Sequence, residues 1–182
     1  MQEPNSRSPG TKLTDEEWRR RVRRFLDQEA TFAQVVTLNH RDEPAARTMV
    51  AMVDDDWTVP LVQRNVHQRI AQWRRNPATQ LIWSGPPHRD NRNLTPHVYD
   101  LCVQVPRVVF LRGHAEFMTE EELLRQYRAM DDASREAGRT LAPRRDDDVV
   151  LAELVGVRVR PTQVRAEGFA QGPESWTWKV AP

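Results

Sequence analysis

Ala45-Ala46-Arg47-Thr48-Met49-Val50 leads into Ala51-Met52-Val53, and after the acidic turn Asp54-Asp55-Asp56 the chain resumes as Trp57-Thr58-Val59-Pro60-Leu61-Val62-Gln63. Arg64-Asn65-Val66-His67-Gln68-Arg69-Ile70 and Trp73-Arg74-Arg75-Asn76-Pro77 follow. Residues 45–53 and 57–63 are short apolar, β-rich runs bounded by turn residues, which is how strands read. Pro60 has no backbone donor to give a ladder, so its strand is expected at an edge or a bulge. Residues 67–75 change period. Ile70 and Trp73 fall at helical spacing, and Asn76-Pro77 stops the helix. A strand therefore hands over to a short helix near His67. Arg47 lies on the preceding strand and Arg69 one turn into the helix.

Upstream, residues 33–39 read as another strand, closed by the polar turn His40-Arg41-Asp42-Glu43-Pro44. Three strands joined by two short turns predict an antiparallel meander. Thr14-Asp15-Glu16-Glu17 is a capping box, and Trp18, Val22, Phe25 and Leu26 continue it as an amphipathic helix. Residues 1–12 read as a flexible tail. Downstream, residues 79–84 form a strand, and residues 85–97 a polar, proline-containing loop of the length that active-site lids have. Residues 98–105 are a strand or part of that excursion. Residues 108–118 are a strand with Gly113 at a bulge. Thr119-Glu120-Glu121-Glu122 opens a helix with Leu123, Leu124 and Tyr127 inward. Residues 131–148 are charged and lack a clear period. Residues 149–160 and 164–170 close the chain as strands on either side of Pro161. Strands dominate without regular crossover helices, so an antiparallel barrel with peripheral helices, one domain over residues 13–182, is expected.

Composition narrows the function. The 182 residues carry 27 Lys+Arg against 26 Asp+Glu, a net charge of +1, where a dedicated nucleic-acid binder would show a basic excess. No run is apolar and long enough to cross a bilayer, and Met1-Gln2-Glu3-Pro4-Asn5-Ser6 does not open a signal peptide, so a cytoplasmic protein is expected. The single cysteine, Cys102, excludes a disulfide scaffold and sits in an apolar run that suits an inert thiol. The five histidines, His40, His67, His88, His97 and His114, show no ligand spacing, so no metal site is expected. No P-loop, dinucleotide fingerprint or nucleophile elbow is present. Without acid–base machinery of its own, such a chain works as an enzyme only through a cofactor. The strand-to-helix junction is where one could be held. A helix N-terminus offers free amides and the positive dipole end, and Arg69 and Arg47 could add guanidinium groups to a phosphate.

The order strand-with-Arg47, turn, strand, basic helix start, Arg75-Asn76-Pro77 and apolar strand resembles the FMN-binding split β-barrels, the pyridoxamine-phosphate-oxidase-like proteins. Val108-Val109-Phe110-Leu111-Arg112-Gly113-His114-Ala115-Glu116 is similar to their V-x-V-x-G-x-A-E strand, and residues 157–165 to their closing strands. The resemblance implies a mainly β (α+β) fold, an antiparallel Greek-key split β-barrel with peripheral helices. It also implies a homodimer with FMN at the subunit interface and a small-molecule substrate. By position, Arg47, Thr48, Met49 and Val50 match the strand that meets the flavin and its phosphate. Val62 and Gln63 match the strand end beside the ring or ribityl chain. His67 opens the helix, and Gln68 and Arg69 match the pair that grips the phosphate. Val108, with Arg107 beside it, falls where a ring contact arises, and Trp176 or Trp178 would reach the ring from the partner chain. His88, Arg89 and Arg92 of the loop would touch substrate.

This sequence departs from the oxidases in three places. Met52 stands where they carry a lysine, Gln68-Arg69 keeps one cation of their pair, and no substrate-holding tail motif follows Pro173. The implied function is an FMN-dependent oxidoreductase not acting on pyridoxamine phosphate. The alternatives are a deazaflavin-dependent reductase or a non-catalytic flavin- or heme-binding protein.

Overall fold

The structure is a computed structural model that describes residues 13–87, 106–139, 142–170 and 175–180. Helix α1 (Asp15–Gln28) begins at Thr14, whose hydroxyl accepts from the Glu17 amide while the Glu17 carboxylate accepts from the Thr14 amide. Strands β1 (Phe32–Leu38), β2 (Pro44–Val50) and β3 (Val59–Arg64) precede helix α2 (Gln68–Arg75) and strand β4 (Ala78–Gly85). After the undescribed segment come β5 (Arg107–Phe117), α3 (Glu120–Glu136), α4 (Asp147–Glu153), β6 (Leu154–Glu167) and β7 (Ser175–Lys179).

All described pairings are antiparallel, in the order β2-β1-β4-β5-β6-β3 with β7 against β6. The two ends of this path, β2 and β3, are successive in the chain. The expected meander is therefore corrected: β1 and β2 form its hairpin, but β3 leaves β2 and pairs with β6. The sheet curls so that consecutive strands become its two open edges, and the barrel is split between them. Pro60 sits on one of those edges, where its missing donor costs least.

Beneath the sheet lies one core that includes Trp73, Trp83, Leu61, Leu81, Leu111 and Val157, all nearly inaccessible. Helix α1 lays Trp18, Val22, Phe25 and Leu26 into it, each burial worth about 1.5–3 kcal/mol before entropic costs. Trp176 of β7 stacks on Trp18 with centroids 6.3 Å apart and donates its indole N–H to Asp15, clasping the last strand to the first helix.

Three other expectations change. Residues 149–153 are helical, because Asp146, Asp147 and Asp148 place negative charge at a helix start and Val150 is buried from a helical position. Residues 154–167 are one strand rather than two. Pro161 is accommodated at the register shift opposite Arg112 and Gly113, where the ladder is already interrupted. Strand β2 stops at Val50 rather than residue 53, since Val50 pairs with Phe32, the first residue of β1. The bulge expected at Gly113 is present. A Cβ there would lie 2.1 Å from the Arg160 carbonyl oxygen.

Candidate functional site

Period-two alternation puts Arg47 and Met49 of β2 on the face shared with their partners Val35 and Ala33. Those partners are buried, so this face looks toward the core. Met49 is buried with them. Arg47, nearer the strand start, is exposed at the rim. Across the split edge, β3 turns through Asn65 and Val66 into α2. The N-cap residue of α2, His67, makes no side-chain capping bond, so its first-turn amides have no side-chain acceptor.

The two elements meet in a recess of about 200 Å³ lined by Arg47, His67, Gln68, Arg69 and Gln72. No carboxylate of the described residues lines it. Arg69 donates through Nη1 to the Met49 sulfur at 2.9 Å, a weak acceptor for a cation. Arg47 donates to the Ala46 carbonyl at 2.7 Å. Neither forms an ion pair among the described residues, whereas Arg75, Arg107 and Arg158 all do. Burial first, and then the charge of Arg47, hold the Arg69 guanidinium below its ordinary pKa. Two cations thus share a small recess without an anion among the described residues.

His67 also lines a neighbouring cleft of about 490 Å³. Its walls include Val62 and Gln63 from the end of β3, and Tyr127, Met130 and Ser134 from α3. The recess therefore opens beside a larger space that could take a ring and a small substrate.

Of the residues singled out by sequence, Arg47, His67, Gln68 and Arg69 converge on the recess, with Met49 beneath Arg69. Val62, Gln63 and His67 share the cleft. Thr48 and Val50 point to the opposite face of β2, where Thr48 accepts from the Gln34 amide and Val50 stands opposite Phe32. Val108 is half-buried on that outer side of β5, between Ser84 and Glu167. Arg107 is buried away from both cavities. It forms a two-pronged bond with the Glu29 carboxylate at 2.8 and 2.6 Å and donates to the Pro86 carbonyl. Trp176 is buried in its own chain's aromatic clasp, and Trp178 packs on Trp57 in the same cluster. Cys102, His88, Arg89 and Arg92 lie outside the described residues, as does all of the proposed lid beyond Pro87.

Sequence reading missed Gln72, Tyr127 and Ser134. Gln72 could have been found at helical spacing from Gln68 and Arg69. The α3 residues carry no such signal, because a non-local contact brings them to β3. Among the described residues no group of three His, Cys, Asp or Glu side chains is placed to hold a metal ion, and no helix is long and apolar enough to cross a membrane.

No family model and no curated protein matches the sequence. Solved structures match in shape. A protein assigned to 5-nitroimidazole antibiotic resistance in Bacteroides thetaiotaomicron superposes with a TM-score of 0.60 at 18% identity, covering 87% of this chain and 88% of its own. A protein from Listeria innocua assigned as a pyridoxamine 5'-phosphate oxidase gives 0.57 at 16% identity, with 82% and 98% covered. The chain folds as a split β-barrel of the pyridoxamine-phosphate-oxidase-like kind. An F420 reductase shares this split barrel with a TM-score of 0.53 at 18% identity, covering 78% and 94%. A heme-binding protein from Mycobacterium smegmatis shares it with a TM-score of 0.56 at 15% identity; 86% of this split barrel is covered, and it spans 56% of that longer chain.

Proposed function

We propose that this split barrel is an FMN-dependent oxidoreductase that holds the phosphoryl group of its cofactor between Arg47 and Arg69. The observation that carries this reading is the recess itself: two guanidinium groups, no acid among the described residues, and one group already held below its ordinary pKa by burial and by the other. An arrangement of like charges is unfavourable in the free protein and becomes favourable once a dianion sits between them. The α2 first-turn amides add donors from the same side. Bound there, FMN supplies hydride transfer to or from its ring.

The chain's own residues bind, orient and exclude water. Val62 and Gln63 border the cleft next to the recess and are the groups to seat the ring. Tyr127 and Ser134 on α3 close the opposite wall, where a small substrate would be held by hydroxyl groups. The assigned oxidase and the F420 reductase among the similar structures support a flavin or a deazaflavin as the cofactor class. A deazaflavin coenzyme, which also carries phosphate, could use the same recess. Heme, whose propionates could also meet the arginines, has one histidine to call on among the described residues of these cavities, His67.

A homodimer fits the outer face of the sheet. Phe32 and Val50, cross-strand partners, and the nearby Met52 are 60%, 45% and 63% exposed. A second copy would cover that face, which also carries Val108. Trp176 belongs to the clasp, and the site as proposed does not need it. Titration of the purified protein with FMN, followed by flavin fluorescence, tests the reading. Saturable quenching that inorganic phosphate competes away is expected. Tight binding that phosphate leaves untouched would refute anchoring at the recess.

A further inference from the structure

We propose that Gln72, aimed by Thr37, completes the recess as a socket for a terminal phosphoryl dianion and sets its preference for phosphorylated over unphosphorylated ligand. This rests on the reading that the recess takes a phosphoryl group.

Thr37 is a buried polar residue of β1, 4% exposed. Its hydroxyl lies 2.6 Å from the Gln72 side-chain oxygen and 3.4 Å from the Ala45 carbonyl. The shorter separation is that of an O–H···O bond and is below the usual N–H···O range, so the hydroxyl donates and the amide oxygen accepts. That bond decides which end of the amide is free. With its oxygen committed to Thr37, Gln72 keeps its NH₂ for the recess it lines, and no described residue accepts from that nitrogen. Gln72 is three residues beyond Arg69 and four beyond Gln68, so all three share one face of α2.

The consequence is a lining biased toward donors. Arg47 and Arg69 have no acceptor atoms, and Thr37 has withdrawn the amide oxygen of Gln72. Such a lining, whose remaining acceptors are those of Gln68 and His67, favours an anion with several free oxygens over a hydroxyl, which offers the donors a single oxygen. A phosphomonoester meets this description, whereas the primary alcohol left when the phosphate is removed does not. Thr37 is a positioning residue here: it never touches the ligand and acts through Gln72.

The test compares FMN with riboflavin on the full chain, by fluorescence quenching, for the wild type and for Gln72→Leu, Gln72→Glu and Thr37→Val. Melting of the ligand-free proteins confirms folding. The wild type is expected to prefer FMN. Gln72→Leu should lose about tenfold in FMN affinity with riboflavin affinity unchanged, the size of one hydrogen bond to a charged group. Gln72→Glu should lose more, by repulsion. Thr37→Val should lose less, because the freed amide can still turn its nitrogen inward part of the time. Should Thr37→Val fail to fold, the two Gln72 variants decide. An FMN-to-riboflavin ratio unchanged in folded Gln72 variants would overturn the role of Gln72. A wild type that binds the two flavins equally, or binds neither, would instead overturn the phosphoryl reading beneath it.

Discussion

Replacing Arg69 by Met should separate stability from binding. In the free protein the Arg69 guanidinium has the Met49 sulfur as its hydrogen-bond acceptor and Arg47 as a like-charged neighbour. A methionine keeps the apolar stem packed and removes the repulsion, which for part-exposed charges is about 1 kcal/mol. The ligand-free melting temperature should therefore hold or rise by about 2–4 °C, the shift for about 1 kcal/mol in a chain of this size. FMN affinity should fall, because a charge-assisted hydrogen bond contributes about 1.5–3 kcal/mol, or roughly 10- to 150-fold. Thermal scans with and without FMN read both effects. At a concentration about 100 times the wild-type Kd, ligand stabilises by about 2.7 kcal/mol; a 30-fold weaker variant keeps about 0.9 kcal/mol. A ligand-free melting temperature lowered by several degrees would mean that Arg69 is a structural residue. An undiminished FMN-induced shift would mean that it does not meet the ligand.

Arg107→Ala should destabilise the fold by about 2 kcal/mol, measured by denaturant melts, without changing FMN affinity. It loses the paired bonds to Glu29, the bond to Pro86 and packing on Phe25, while Glu29 can still turn to water. Gly113→Ala should cost several kcal/mol or abolish folding, since the new methyl meets the backbone carbonyl of Arg160 rather than a movable side chain. Melts across pH should show acid sensitivity. The Thr14 amide holds Glu17, the Thr119 amide holds Glu122, and the Arg135 hydrogen bond holds Asp131 below their ordinary pKa values. The unfolded chain binds more protons there, so stability present at neutral pH is lost as pH falls through about 4 and below. Asp54 has the opposite sign. Burial, then Asp56, raise its pKa, so Asp54→Asn should stabilise the protein at pH 7. Light scattering should show the proposed homodimer for the wild type and a monomer for Phe32→Glu, which places a charge on the exposed apolar face.

Local chemistry made much of this fold readable. The capping boxes at Thr14 and Thr119 lie within four consecutive residues each, and the structure contains both. Arg47 and Arg69 come together from sequence by reading β2 and β3 as neighbours and by the resemblance; the two strands are not paired, and the curl of the sheet brings the residues to one recess. What escaped was non-local or locally ambiguous. Nothing near β3 says that its partner is β6 rather than β2, since that pairing joins Val59 to Val159. Val149-Val150 reads as strand by β-propensity, but the three aspartates before it start a helix, and tertiary burial of Val150 decided between them. The expectation that Trp176 meets a flavin ring came with the resemblance. Its partner Asp15 is 161 residues away, a separation at which spacing carries no information.

The most direct test of the central claim is a crystal structure of the protein grown with FMN. Phosphoryl oxygens within hydrogen-bond distance of both Arg47 and Arg69, with the ring extending toward Val62 and Gln63, is the predicted result. A phosphoryl group seated elsewhere on the barrel while those two guanidinium groups face only solvent would contradict it.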